Sequence, residues 1–356
     1  TALFAELDVP VKKSNMSFGA SFGGGRMEYA LTSFNAIFSQ KRNLVNPKFL
    51  GMLRDVLKFN KHALALSQDK SLSVADFLEK LGTGDYFRDH YLLPFSGAIW
   101  STPKEKIMDF PAHALVQFFQ NHALLGYSGQ HQWYTVQGGS IQYVNRLEAA
   151  MKAAGVDIRL NAAIEGVRRD AQGVEVKTHG GDWERFDEVV MATHSDDSLA
   201  MLTDPSAEEQ AALGAILYQP NDVVLHADTA MMPKRKSAWA SWVYTEDAKV
   251  KSDRIDLTYW MNSLQSIPEG DPLFVTLNTK RTIREELIYD RVTLRHPVYD
   301  LAAWDAQGKV HAMNGAQHTW FCGAWLRNGF HEDGLATANE VADAINARAK
   351  TVLAAE

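Results

Sequence analysis

The chain has 356 residues, of which 46% are hydrophobic and nine are tryptophan, so it can bury a large core and predicts two domains. Its net charge of −7 argues against a general nucleic-acid-binding protein, and its one cysteine, Cys322, excludes an intramolecular disulfide. No apolar run reaches membrane-spanning length. These features predict a cytoplasmic protein without a membrane span.

The first third of the chain predicts a hairpin followed by helices. Apolar residues alternate on both sides of Gly23-Gly24-Gly25, so 16–29 reads as a hairpin. The glycines lack the Lys-Ser/Thr of a phosphate-binding loop. Residues 34–66 have helical spacing and a basic polar face, which we interpret as solvated. Its basic residues are Lys41, Arg42, Lys48, Arg54, Lys58 and Lys61.

The next segment is helical and aromatic. Residues 73–82 and 111–125 predict helices from their apolar spacing and from the glycine that ends the first. The aromatic stretch 86–100, interrupted by Pro94 and Gly97, is either core packing or the wall of an apolar substrate pocket.

The middle of the chain predicts a glycine pair, a helix and a succession of strands. Gly138-Gly139 precede a helix through Met151, and strands follow at 156–160 and 164–167. A hairpin at 173–186 and a buried strand at 186–193 complete the succession.

A helix over 204–217 then leads into a meander of strands. The strands are predicted at 223–226, 237–244, 255–261 and 273–279, with turns between them. A meander of this length predicts the sheet of a substrate domain. A polar loop is expected between Tyr299 and the last strand.

The most informative stretch is 319–345, which reads as a buried strand, a glycine-rich turn and a helix. Trp320-Phe321-Cys322 is apolar and ends at Gly323, and apolar residues recur at helical spacing from Leu335. Glycines between a strand and a helix let a ligand approach the backbone, and the helix start offers amide donors.

Three phrases carry a resemblance to a known family: GFHEDGL at 329–335, ATHSD at 192–196 and AWASW at 238–242. They resemble the flavin-containing amine oxidase and phytoene desaturase superfamily, and more narrowly a bacterial group of amine-oxidase-like NAD/FAD-binding proteins. The resemblance implies FAD as cofactor. It also implies an α/β (α+β) fold, with a Rossmann-like FAD-binding domain of the glutathione-reductase type and a substrate domain of mixed sheet plus helices.

The resemblance further implies cofactor-binding residues. Gly334 and Leu335 would present their backbone to the flavin ring near N1 and the C2 carbonyl. Gly323 and Ala324 would lie near the ribityl chain or pyrophosphate, although the family usually has an acid where this chain has Ala324.

Other residues are implied at the two ends of the cofactor. Gly138 and Gly139 would support the adenosine end, and the backbone of Ile164 would hold adenine. Phe330 would lie beside the flavin face, with His331 as a neighbour in the same catalytic cavity. Trp325 is a further candidate for the lining of that cavity.

The resemblance implies a discontinuous cofactor domain, formed by 131–202 and 312–356. Residues 203–311 would supply the substrate-domain sheet, and 1–130 its helical and hairpin part. The chain begins in mid-helix without a cap and carries no GxGxxG turn, so we expect a fragment or natural truncation that lacks the first βαβ unit.

The residues alone disfavour several other chemistries. No HExxH or CxxC is present, so no metal site is predicted. The sequences around Ser96 and Ser128 lack the leading glycine of GxSxG. Glu332 and Asp333 suit a helix start better than paired acid–base work.

We therefore predict an FAD-dependent oxidoreductase of the amine oxidase type, which transfers hydride from an amine or apolar small-molecule substrate to the flavin. Two alternatives remain open. One is a flavoprotein-derived fragment without redox activity, and the other is a flavin-dependent desaturase or isomerase acting on a lipid-like substrate. The oligomeric state is left open.

Overall fold

A computed structural model describes residues 2–100, 104–126, 132–247 and 254–355 of the chain. It mixes helices with sheets and divides into two compact units. Unit 1 comprises Thr1–Asp157 and Pro220–His296, and unit 2 comprises Ile158–Gln219 and Pro297–Glu356. The domain boundary predicted between 130 and 131 lies outside the described residues, and the sequence-based domain limits stay a prediction.

The helices and strands are numbered in chain order. The α-helices are α1 Ala2–Glu6, α2 Phe34–Ile37, α3 Pro47–Leu66, α4 Val74–Leu81, α5 Asp85–Phe87, α6 Leu93–Trp100, α7 Lys104–Ile107, α8 Ala112–Asn121, α9 Ile141–Ala153, α10 Ser195–Met201, α11 Ala207–Gly214, α12 Met261–Gln265, α13 Leu301–Met313 and α14 His331–Ala355. The strands are β1 Val11–Ser14, β2 Phe18–Phe22, β3 Met27–Ala30, β4 Trp133–Val136, β5 Ile164–Asp170, β6 Gly173–Thr178, β7 Trp183–Phe186, β8 Val189–Met191, β9 Tyr218–His226, β10 Trp242–Glu246, β11 Asp256–Trp260, β12 Phe274–Leu277, β13 Ile288–Pro297 and β14 Thr319–Phe321.

Unit 1 is built on a seven-stranded sheet with the order β13-β9-β12-β11-β10-β2-β3. Strands β10, β11 and β12 form an antiparallel meander, whereas β9 pairs with β12 and not with β10, so the predicted meander is confirmed for three of its four strands. β2 joins β10 in parallel. The predicted hairpin is confirmed as β2–β3, with all three turn glycines at positive φ. β1 and β4 form a separate antiparallel ribbon.

The helices of unit 1 bury aromatic side chains. Phe59 on α3 makes edge or tilted ring contacts with Phe77, Phe87 and Phe119, and all four side chains are fully buried. A π-helical turn at Arg88–Leu92 separates α5 from α6. Phe87 and Tyr91 are buried, so this part of the aromatic stretch packs in the core.

Unit 2 contains a parallel pair, β8–β14, and an antiparallel sheet, β5-β6-β7. Its hydrophobic core gathers side chains from β5, β8, β14, α11 and α13. A buried ion pair joins this sheet to α11, because Arg169 on β5 donates to both carboxylate oxygens of Glu209, at 2.6 and 3.0 Å.

Two sequence-based assignments outside the site are wrong. Residues 156–160 pair with no strand of the described ranges, so their alternating apolar pattern does not make a β-strand. The polar loop expected after Tyr299 is mostly helix α13. Asp300 caps this helix by accepting the Ala303 amide hydrogen at 2.8 Å, and Ala303, Ala306 and Val310 are buried. Within the described ranges, none of the helices combines the length and apolarity needed to cross a bilayer.

Candidate functional site

Two neighbouring parallel strands of unit 2 end at the same edge of their sheet. Val190 of β8 lies opposite Trp320 of β14, and the Cys322 amide donates to the Met191 carbonyl at 3.1 Å. β8 leads into α10, and β14 leads through a glycine turn into α14. Ligands of open α/β sheets bind at the carboxyl ends of parallel strands. This edge is therefore the candidate functional site.

The turn after β14 requires a glycine at position 323. Gly323 has φ +148° and ψ +160°, a conformation essentially restricted to glycine. A Cβ atom there would lie 2.6 Å from Trp325 Nε1. The Gly323 amide donates to the hydroxyl of Thr337 on α14 at 3.0 Å. The glycine is thus explained by backbone geometry and packing within the protein.

Helix α14 begins at His331, four residues before the start predicted from sequence. Asp333 accepts the Phe330 amide hydrogen at 3.1 Å, which confirms the predicted role of this acid at the helix start. The Gly334 amide donates to the Phe330 carbonyl at 3.1 Å. The amide that was predicted to face the flavin ring therefore already has an acceptor within the helix.

The remaining candidates around this helix differ in exposure. Phe330, Gly334, Leu335 and Ala324 are half-buried, and His331 is exposed. A Cβ atom at Gly334 would lie 3.5 Å from the Ala324 amide nitrogen, so the helix runs close to the turn after β14.

Trp325 was expected beside the flavin cavity, but it belongs to the hydrophobic core of unit 2. Only 4% of its surface is exposed, and its indole N–H donates to the Thr193 carbonyl at 3.0 Å. This hydrogen bond ties the turn after β14 to the end of β8. Trp325 therefore holds the two strand ends together.

A cluster of hydroxyl groups at this edge was missed by sequence reasoning. Tyr299 is 4% exposed, and its hydroxyl has no hydrogen-bond partner among the described residues. A Cβ atom at Gly329 would lie 2.7 Å from that hydroxyl, so the group sits beside the start of α14. Burial, with added repulsion from Tyr218 and Asp333, raises the pKa of Tyr299 far above its ordinary value.

The cluster extends to the start of α10. The Ser195 amide donates to the Tyr218 hydroxyl at 2.8 Å, and the buried Ser195 Oγ has no partner among the described residues. The rings of His194 and Tyr218 stack with centroids 4.3 Å apart. These residues are scattered along the chain and follow no periodicity. The one local signal was that Ser195 follows a buried strand.

His194, Asp196 and Asp197 also lie close together, with ligand-type atoms within 4.8 Å of one another. Both acids occupy the first turn of α10, where the helix dipole favours negative charge. This helix-end role accounts for the acids, and the sequence-based expectation of no metal stays a prediction.

Ile164 presents its amide to the open side of strand β5. The Ala163 carbonyl accepts the His179 amide hydrogen at 2.8 Å, on the side of β6. In a trans peptide the carbonyl and the N–H point in opposite directions, so the Ile164 N–H points away from β6. Because β5 is the edge strand of its sheet, this amide is directed outward.

Gly138 and Gly139 form the turn between β4 and α9 in unit 1. Both have φ +84°, which favours glycine, and a Cβ atom at Gly139 would meet no atom within 4 Å. The open space at Gly139 leaves room for a close backbone approach.

Comparisons with known proteins agree with this fold. The model of the family described as flavin containing amine oxidoreductase matches residues 2–294. A CLA-producing fatty acid isomerase from P. acnes superimposes with a TM-score of 0.64 at 14% identity, covering 96% of this chain and 83% of that one. No curated protein matches the chain by sequence.

Two solved amine oxidases share the fold as well. Putrescine oxidase bound to putrescine gives a TM-score of 0.60 at 14% identity, covering 97% of this chain and 85% of that one. Cyclohexylamine oxidase from Brevibacterium oxydans gives 0.60 at 13% identity, covering 98% and 85%. At these identities the likeness shows the fold.

The residues of unit 2 fit the flavin cofactor that the family implies. Tyr299 and Ser195 bring two buried hydroxyl groups to the carboxyl edge of β8 and β14, and neither has a partner within the described ranges. Ile164 adds an outward-directed amide of the kind that recognises a base through the backbone. FAD carries hydroxyl, phosphate, carbonyl and ring-nitrogen groups that pair with such partners.

The roles of Gly138, Gly139, Ile164, Gly323, Ala324, Gly334 and Leu335 toward this cofactor, and those of Phe330 and His331 in catalysis, stay predictions. The match over most of the chain and the shared mixed fold lead to one assignment. The chain belongs to the flavin-containing amine oxidoreductase family and is a flavin-dependent oxidoreductase with FAD as its cofactor.

Proposed function

We propose that the protein oxidises an apolar or amine-bearing small molecule by transfer of hydride from a substrate carbon to FAD. The observation that carries the proposal is the carboxyl edge of β8 and β14. There two helices begin, and the hydroxyls of Ser195 and Tyr299 have no partner in the part of the chain that the structure describes. Bound FAD supplies the electron acceptor, so the protein has to bind and orient the substrate against the flavin and to exclude water.

The start of α14 is rigid enough to orient a ring system. Asp333 holds the Phe330 amide, and Thr337 holds Gly323, so the turn is fixed at both ends. Phe330 is half-buried, and its aromatic ring suits contact with a flavin face while it excludes water. We assign Phe330 to the catalytic cavity, with His331 as its neighbour.

Unit 1 carries an aromatic sheet face that suits an apolar substrate. Phe18, Trp242, Tyr259 and Val275 follow one another across β2, β10, β11 and β12. The Trp242 and Tyr259 rings meet edge to face with centroids 5.2 Å apart, and both are half-buried. Binding sites for small molecules are mostly lined by such side chains.

The proposal is tested by adding FAD to the purified protein and mixing it without oxygen with primary amines or unsaturated fatty acids. Oxidation of the substrate by two electrons bleaches the flavin absorption, and Phe330→Ala slows the bleaching. Phe186→Ala is the matched control, because Phe186 is 43% exposed on β7. If the protein binds FAD but neither the amines nor the fatty acids reduce the flavin, the proposed reaction is contradicted. If Phe330→Ala leaves the rate of flavin reduction unchanged, the assignment of Phe330 to the catalytic cavity is contradicted.

A second candidate is isomerisation or desaturation of a lipid-like substrate. It is favoured by the aromatic sheet face and by the shared fold of the fatty acid isomerase. An isomerase shifts a double bond without net change in oxidation state, whereas a desaturase needs an external electron acceptor. A rearranged product without peroxide or lasting flavin reduction would select the isomerase.

A further inference from the structure

Helix α3 carries a row of leucines on its solvent-exposed side. Leu50, Leu57 and Leu64 are spaced by seven residues and are 41%, 57% and 37% exposed. Arg54 and Lys61 follow Leu50 and Leu57 by four residues, so helical geometry places them in the same row. The row therefore alternates leucine and basic side chains along about four helical turns.

The core of unit 1 does not account for these leucines. The buried side of α3 is formed by Phe49, Met52, Phe59 and Ala63, at most 1% exposed. At 100° per residue, these residues lie on average about 125° around the helix from the leucine row, which is about a third of a turn. The helix is thus apolar toward the core and carries a second set of apolar side chains toward solvent.

Further exposed apolar side chains lie just ahead of α3. Val45 is 81% exposed, Leu44 46% and Phe34 69%. The ring of Phe34 contacts Phe38 at a centroid distance of 4.8 Å, and Phe38 contacts Phe49 on α3 at 5.9 Å. We call this set of exposed apolar residues the α3 surface. It comprises Phe34, Leu44, Val45, Leu50, Leu57 and Leu64.

The charge of this segment is opposite to that of the whole chain. Residues 41–66 contain six Lys and Arg residues against one acid, Asp55, in a chain of net charge −7. Asp55 is buried, where it accepts the Gly84 amide hydrogen at 2.9 Å and pairs with Arg54. Lys48, Lys58 and Lys61 are exposed beside the α3 surface.

We propose that the α3 surface docks the protein on the interface of an anionic lipid bilayer. Helices that lie in a membrane interface combine exposed leucine or aromatic side chains with Lys and Arg, which anionic headgroups attract. The apolar groups enter the acyl boundary while the long basic side chains reach the headgroups. This inference does not depend on the proposed reaction.

The charge pattern favours a bilayer over a second copy of the chain. A two-fold contact through the α3 surface would place the Arg54 and Lys61 side chains of both copies against each other. Such like-charge juxtaposition is unfavourable, whereas an anionic surface neutralises all these groups together.

The test is sedimentation of the protein, loaded with FAD, with vesicles of phosphatidylcholine alone or mixed with phosphatidylglycerol. We expect binding to the mixed vesicles that weakens with salt. Lys61→Gln should weaken it about five-fold, and Leu57→Ser about ten-fold. The controls are Lys309→Gln and Leu160→Ser, because Lys309 and the 77%-exposed Leu160 belong to unit 2.

Thermal unfolding and the flavin spectrum are measured for each variant, to check that the fold and cofactor binding are retained. Three outcomes overturn the proposal: no binding to the mixed vesicles, equal losses for the α3 and control variants, or concentration-dependent dimerisation that Leu57→Ser abolishes. In the first of these outcomes, retention on DNA would assign the basic surface to nucleic acid.

Discussion

Thr337 on α14 and Gly323 at the end of β14 are joined through the threonine hydroxyl. This oxygen lies 3.0 Å from the Gly323 amide nitrogen and 3.0 Å from the Gly334 carbonyl oxygen, so it accepts from the strand end and donates within its own helix. Thr337 is 1% exposed. One buried hydroxyl therefore sets the distance between the strand end and the start of the helix assigned to the flavin.

Replacing Thr337 by valine should destabilise unit 2 at nearly constant side-chain volume. The Gly323 amide would lose its acceptor in a buried place, which costs about 2 kcal/mol. Urea denaturation followed by circular dichroism measures the loss. Thr337→Ser keeps the hydroxyl and should recover most of the stability. A valine variant as stable as the parent, or a serine variant less stable than the valine variant, would show that the methyl group matters more than the hydroxyl.

Gly323→Ala should be more damaging than the same change at another positive-φ glycine. Gly323 combines a glycine-only conformation with a Cβ position 2.6 Å from Trp325 Nε1. We expect a loss of about 3 kcal/mol in the free energy of unfolding. Gly180→Ala is the control, because Gly180 has φ +75° and open space around its Cβ position. Equal losses at the two sites would refute the packing argument.

Tyr299→Phe and Tyr218→Phe form a matched pair of hydroxyl removals. The Tyr299 hydroxyl has no partner among the described residues, so its removal should leave the protein without FAD equally or more stable. Tyr218 accepts the Ser195 amide hydrogen at 2.8 Å, and its removal should cost about 1 kcal/mol. If Tyr299 contacts the cofactor, Tyr299→Phe should weaken FAD binding without loss of stability, whereas Tyr218→Phe should lower stability. FAD binding is measured by flavin fluorescence.

The stability of the protein should fall as the pH drops from about 6.5 toward 4, because of His226. Burial lowers the pKa of His226 from 6.5 to about 4. The unfolded chain binds a proton in this interval and the folded chain does not, so stability rises with pH across it, by up to about 3 kcal/mol.

The hydrogen bonds of His226 explain why protonation is resisted. Its Nδ1 accepts the Asp228 amide hydrogen at 3.0 Å, so Nε2 carries the hydrogen and donates to Thr276 at 2.7 Å. His226→Gln should flatten the dependence of the melting temperature on pH, and the exposed-site control His62→Gln should not. An unchanged slope for His226→Gln would assign the pH dependence to other groups.

The strand, the glycine turn and the helix at the end of the chain were predictable because each has a local signal. Trp320, Cys322, Ala338, Val341 and Ile345 form one cluster in the structure, as the helical spacing of the apolar residues requires. The start of α14 was placed too late, because the capping contact of Asp333 depends on side-chain geometry rather than on periodicity.

The sequence by itself determined the family, the cofactor class and the order of most elements, since apolar periodicity and short motifs are local properties of the chain. Only the tertiary structure brought Tyr299, Tyr218 and Ser195 to one edge, moved Trp325 from an expected cavity wall into the core, and left Leu50, Leu57 and Leu64 facing solvent. Burial and hydrogen-bond partners depend on segments that are distant in sequence, and no local pattern encodes which polar group ends without a partner or which apolar row stays uncovered.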